Sequence, residues 1–407
     1  MTDRALLALL AVIVAVGSVA TNLYIPALPS VREYFDASVV QVQATFSVSL
    51  VTFAIGILAW GPISDRYGRR RAVLSGMSVV MVGAVIGMTA QTLEWLIVGR
   101  AIQAFGTSTG IAVSRAIISD RFPAERMARA MAQLAIVSVL TNGLAPILGG
   151  FLAAGLGWRA VFGALIVAAS IPTYFAWRHL PETRALTGAP PRSREMASAA
   201  WGLLRNRLYV SCVLQTAAAY ASFLVFISLV PYVMVSALGR PTTEYGFYYL
   251  FVAVGYVCGN WLVGHFSMRH GPHWMVVVGA CLQAAGALSA LAFMAVGFKH
   301  PLWMFAPIGV LYVGQGLFMP NMTAIAVSLA PQHAGVASST LGFTQQILAA
   351  VCVQLMGVTP TDTALPMLTF CAAAAVLQIA VLWLSPRIEA GSSLTRPAGD
   401  LSRKRER

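Results

Sequence analysis

The chain has 407 residues, 58% of them hydrophobic and only 10% charged, against about 25% charged in an average soluble domain, which excludes a soluble globular or a disordered protein. A formal net charge of +13 would suggest nucleic-acid binding in a soluble chain, but here the basic residues sit in short breaks between apolar runs. Those runs are roughly 20 residues long, enough for a helix to cross the bilayer core, so the fold class is an all-α polytopic membrane protein.

Taken in chain order, the runs predict spans near residues 5–26, 39–60, 72–91, 95–115, 130–154 and 159–178. After a long polar break come spans near 209–237, 245–267, 273–297, 302–328, 333–357 and 364–385. The chain thus divides into an N-terminal six-helix half (1–178), a basic linker (179–208), a C-terminal six-helix half (209–385) and a basic tail (386–407). Ser18-Val19-Ala20 resembles a signal-peptide cleavage site, but the loop charges fit a first helix that is retained. The five cysteines lie inside predicted helices without C-x-x-C spacing and read as small core residues.

Charge placement sets the orientation. With both termini cytoplasmic, only Arg32, Arg159, Arg240 and Lys299 of the 27 basic residues fall outside, as the positive-inside rule requires. Arg100 alone lies within a span, where a charge costs at least ~2.5 kcal/mol on insertion scales. An ionisable residue at that depth is a functional candidate facing the helix bundle, with Gln103 one turn on as its nearest polar neighbour. No aspartate, glutamate or histidine accompanies it at mid-membrane depth.

Residues 61–71 form a cytoplasmic turn with glycines at the bends, in which Asp65 is embedded among Arg66, Arg69, Arg70 and Arg71. Asp65 can accept hydrogen bonds from these arginines or from a neighbouring helix N-terminus. Gly61, Arg66 and Gly68 recur at the same spacing as Gly264, Arg269 and Gly271, which points to an internal duplication. Two such halves related by an axis along the membrane normal are a transporter plan, with a midplane site exposed alternately to each side.

Several sequence patterns exclude other chemistry. Gly106-Thr107-Ser108-Thr109-Gly110 fits a G-x-S-x-G elbow, but inside an apolar helix it lacks the strand-to-helix turn that the motif needs. With only two lysines, Lys299 and Lys404, no phosphate-binding G-x-x-x-x-G-K-[ST] loop exists. No metal-ligand spacing is present either, so neither an enzyme nor a cofactor is expected.

The stretch from Gly61 to Arg70 resembles the signature loop of the major facilitator superfamily, G-x-x-x-D-R-x-G-R-R, and satisfies every defined position. Leu96, Arg100, Gln103 and Gly106 match the superfamily's second motif, in which the arginine faces a central cavity. The segment with Gly143, Pro146, Gly149 and Gly150 resembles the proline-glycine signature of its antiporting exporters, with Ala145 where glycine often precedes the proline. Thr21-Asn22-Leu23-Tyr24-Ile25-Pro26, Arg115 and Asp120 resemble the Bcr/CflA-type drug exporters within it.

The resemblance implies a secondary transporter of the bacterial inner membrane that exports a small molecule in exchange for protons. Gly61, Asp65, Arg66, Gly68, Arg69, Arg70, Arg115 and Asp120 would then gate it, and Asn22, Tyr24, Arg100 and Gln103 would line its cavity. From the C-terminal half, Tyr220, Phe223 and Asn321 are the expected aromatic and amide partners. One departure matters: those exporters carry an aspartate where this chain has Asn22, and an amide does not titrate. A fixed charge at Arg100 without a nearby carboxylate predicts neutral polar or anionic solutes, such as phenicol-like drugs, rather than quaternary ammonium compounds. Import of a nutrient, facilitated diffusion and a receptor on the same fold stay open. The G-x-x-x-G pairs at Gly83/Gly87 and Gly255/Gly259 could pack helices within one chain, and a monomer is expected.

Overall fold

The computed structural model describes residues 2–183, 193–330 and 334–384; the expected tail, 386–407, and the centre of the expected linker lie outside them. The N-terminal half comprises α1 (Asp3–Asn22), α2 (Leu28–Tyr34), α3 (Val39–Tyr67), α4 (Arg69–Thr89), α5 (Leu93–Arg121), α6 (Ala124–Leu156) and α7 (Arg159–His179). After the linker helix α8 (Ser193–Leu204) come α9 (Arg207–Ser236), α10 (Thr242–Val296), α11 (Leu302–Ser328), α12 (Ala334–Met356) and α13 (Leu365–Leu384). Among the described residues, twelve segments are long and apolar enough to cross a membrane, α10 supplying two of them on either side of a break at Gly271. The fold is all-α, and α8 was not expected from the polar linker.

Helix starts follow from capping chemistry. The side chains of Thr2, Ser38, Thr92 and Asn206 each accept a bond from a backbone N–H that the first turn leaves without a partner. Pro26 and Pro29 cannot donate to the α1 ladder. The chain therefore passes through a 3-10 turn, Ile25–Ala27, before α2 extends the first span.

The signature stretch differs from the expected turn. Gly61 to Tyr67 forms the last turns of α3, and Gly61 is inside the helix rather than at a bend. The bend is Gly68 alone, at φ +97° and ψ 151°. Gly271 in the second half adopts φ +76° and ψ 164°, so the recurring glycines share a conformation that side chains rarely adopt.

Small residues let helix backbones meet inside each half. A Cβ on Gly83 would lie 2.4 Å from the Gln103 amide nitrogen, and one on Gly255 would lie 2.3 Å from the Gly309 carbonyl oxygen. Both G-x-x-x-G pairs therefore pack helices within the chain, where close approach substitutes for a hydrophobic drive that lipid does not supply. Cys212 and Cys371 are buried, but Cys258 and Cys281 are exposed on the outer surface of the bundle, contrary to the core reading.

The halves meet along α3 with α12 and α6 with α10. At the ends remote from Gly68, Gln43 Nε2 donates to the Ser228 carbonyl at 3.2 Å. Ser47 Oγ donates to Gln354 Oε1 at 2.6 Å, and Gln354 Nε2 donates to the Val40 carbonyl at 3.1 Å. One apolar core runs through both halves beneath these bonds.

Candidate functional site

A cavity of about 260 Å³ lies between the halves, walled by α1, α3, α5 and α6 on one side and α9 and α12 on the other. Asn22, Arg100, Gln103, Tyr220 and Phe223 all line it, together with Asn142 and Gln346. A second chamber of about 200 Å³ shares Asn142, Tyr220 and Phe223 and continues among Tyr249, Tyr256 and Tyr312. Phe223 stands edge-on to Tyr312 at 5.6 Å between ring centres. Aromatic walls with a few polar anchors suit a drug-sized solute.

Arg100 is 3% exposed. Its Nη1 donates to the Ala20 carbonyl at 3.0 Å and to Gln103 Oε1 at 3.1 Å, which ties α5 to α1. The guanidinium carbon lies 4.3 Å from the centre of the Tyr24 ring, a geometry in which the ring's negative face attracts the cation. Both chambers are lined without an aspartate, glutamate or histidine among the described residues, so the site keeps a net positive charge.

Two expected cavity residues lie elsewhere. Tyr24 is fully buried beneath Arg100 and does not reach the cavity. Its hydroxyl meets Thr45 Oγ1 at 2.8 Å. Because the single Thr45 proton goes to the Val42 carbonyl, Tyr24 is the donor; it carries Arg100 instead of touching solute. Asn321 Nδ2 donates to the Leu317 carbonyl of its own helix at 2.8 Å, and Asn321 lines neither chamber.

The proline-glycine segment sits at mid-length of α6. Gly143 faces Ala253 of α10 across the halves, and a Cβ on Gly149 would lie 2.2 Å from the Leu23 carbonyl oxygen at the end of α1. Gly150 and Pro146 are buried alongside. The segment thus forms a thin contact with α1 and α10 at the edge of the cavity.

The basic cluster is organised around Arg69, which is 8% exposed. Its Nη1 lies 2.7 Å from Asp65 Oδ1 and its Nε 2.9 Å from Asp120 Oδ2, joining α3, α4 and α5. Ser64 Oγ accepts a third bond at 2.6 Å. Glu182 meets the N-terminus of α4: its carboxylate accepts from the Arg69 N–H at 2.8 Å and the Arg70 N–H at 3.3 Å. Arg70 also donates to the Trp177 carbonyl of α7. Arg66 is exposed and stacks on Tyr67 at 5.4 Å. Arg115, exposed on α5, stands apart from the Arg69 bonds.

Sequence reading missed Glu182 and gave Asn142 no site role. An acid directly after Pro181 in a basic linker was the available signal for the first. For Asn142 there was none, because its partner is 120 residues away.

Residues 10–353 match the Major Facilitator Superfamily. The chain belongs to that superfamily. It is 28% identical over 356 residues to Multidrug resistance protein D of Escherichia coli, covering 87% of this chain and 89% of that protein. It is 24% identical over 363 residues to a Bicyclomycin resistance protein homolog of Haemophilus influenzae, covering 88% and 90%. Among solved structures, the nucleoside transporter NupG superimposes with a TM-score of 0.77 at 11% identity over 94% of this chain and all of that one, a likeness of fold. As a member of that superfamily the chain is a transporter and not an enzyme. Ser108 of the G-x-S-x-G match is buried in α5 and donates to the Phe105 carbonyl of the same helix.

Proposed function

We propose that this transporter exports small neutral or anionic drugs or metabolites across the cytoplasmic membrane by alternating access, in exchange for protons. The observation that carries the substrate class is Arg100, a buried cation in a chamber lined by no carboxylate among the described residues. A cationic solute ~6 Å from the guanidinium, at an effective dielectric constant of ~20, meets about 3 kcal/mol of repulsion, roughly a hundredfold in affinity. Anions gain by the same arithmetic, and neutral polar solutes are indifferent to it.

Export is supported by two drug-resistance relatives matched over nearly their whole length and by the Pro146 segment. Alternating access is supported by the arrangement of bonds: the halves are tied at the ends remote from Gly68, while Asp65, Arg69 and Asp120 link three helices of one half at the other end. Asn22 and the cavity offer no titratable carboxylate, so proton exchange falls to Asp65 and Asp120. These two acids share one guanidinium.

Inverted membrane vesicles test both parts. Accumulation of a phenicol but not of a quaternary ammonium compound, with proton release on drug addition and loss of both signals in Arg100→Ala, is the expected result. Accumulation of the permanent cation overturns the substrate class. Drug movement without proton release overturns proton exchange and makes the chain a facilitator or a transporter coupled to something else.

A further inference from the structure

On the membrane side that carries Gly68, a crevice of about 450 Å³ opens between the start of α9 and the end of α13, apart from the central cavity. Arg205 and Arg207 stand at its mouth, and Leu214, Leu377 and Val381 contribute apolar walls. Deep inside are Gln215 and Gln378, which are 3% and 1% exposed. Gln215 Oε1 and both polar atoms of Gln378 have no hydrogen-bond partner. Buried amides left unpaired are costly and call for an explanation such as an absent ligand.

We infer that this crevice binds one anionic phospholipid of the bilayer. The phosphate sits between Arg205 and Arg207, whose guanidinium forks suit its oxygens. Gln215 lies eight residues into α9 from Arg207 and Gln378 six residues before Leu384, so the amides are about 12 and 9 Å below the helix ends. Gln378 Nε2 donates to an ester carbonyl of the lipid, which lies deeper than the phosphate, and the acyl chains follow the apolar walls.

The bilayer is the source because the crevice is open sideways to it. Leu214 and Leu377 are both more than half exposed on the surface of the bundle. Trp201 of α8 is 61% exposed, with the Arg205 guanidinium 5.6 Å above its ring, the placement of an aromatic at the headgroup level. A free phosphate would meet the arginines but leave the amides and the walls empty.

Native mass spectrometry of the full chain in mild detergent tests this with equal amounts of phosphatidylglycerol and phosphatidylcholine. The expected result is preferential retention of one phosphatidylglycerol. Two interfacial arginines predict about a thirtyfold loss of that retention and of the preference in Arg205→Gln with Arg207→Gln. Gln378→Leu, which leaves the topology-setting charges in place, should weaken both lipids severalfold and keep the preference. Equal retention of the two lipids, a preference that survives the double substitution, or displacement by soluble glycerol 3-phosphate would overturn the lipid assignment.

Discussion

Asn22 Nδ2 donates to Asn142 Oδ1 at 3.0 Å and so joins α1 to α6 in the cavity wall. The same nitrogen gives its other proton to the Ser18 carbonyl at 3.0 Å. An aspartate at this position could make neither bond when ionised, since a carboxylate only accepts. Asn22→Asp adds a carboxylate to a chamber that has none among the described residues. The number of protons released per drug molecule in inverted vesicles should rise above the wild-type value, and an unchanged ratio would show that this position does not couple.

Arg100 separates charge from geometry. Arg100→Lys keeps the positive charge but cannot reproduce a planar guanidinium bonded to Ala20 and Gln103 over the Tyr24 ring. Flux of an anionic or neutral drug should fall about tenfold, a loss of ~1.4 kcal/mol, while exclusion of quaternary ammonium compounds persists. Arg100→Gln should lose that exclusion as well. Competition uptake with a labelled drug distinguishes the two.

Asp120→Asn removes one of the two carboxylates on Arg69. Losing a charge-assisted bond to a buried arginine should cost about 2 kcal/mol, read as a lower thermal midpoint of the purified protein. Under the proposed alternating access, flux should fall further than stability, because the substitution breaks the link between α4 and α5 at one end of the moving half. A variant with normal flux would remove Asp120 from the gate and from proton exchange.

Gly68→Ala meets two penalties. At φ +97° and ψ 151° a side chain is strained by roughly 1–3 kcal/mol, and its Cβ would sit 2.4 Å from Glu182 Oε2. Glu182 should be displaced from the N-terminus of α4. The companion Glu182→Gln keeps the shape and loses only the charge, at about 0.5 kcal/mol. The expected order of thermal midpoints is wild type, then Glu182→Gln, then Gly68→Ala; the reverse order of the two variants would show that the α4 terminus depends on charge more than on the bend.

The twelve spans and the place of Arg100 inside one of them were legible from the sequence, because helix length, apolar content and charge are properties of contiguous residues judged against a bilayer of known thickness. The Gly68 and Gly271 correspondence was equally legible, since a local backbone conformation demands the same residue twice. Which way a side chain faces was not. Tyr24 and Asn321 pass every compositional test for a cavity residue, yet one turns under Arg100 and the other onto its own helix. Rotation about a helix axis is set by neighbours, and in a chain apolar on nearly every face the hydrophobic period that reveals it in soluble helices is weak. The partners of Arg69, Asn22 and the α4 terminus come from positions 51, 120 and 113 residues away. Such contacts exist only once the helices have packed, and no local pattern records them.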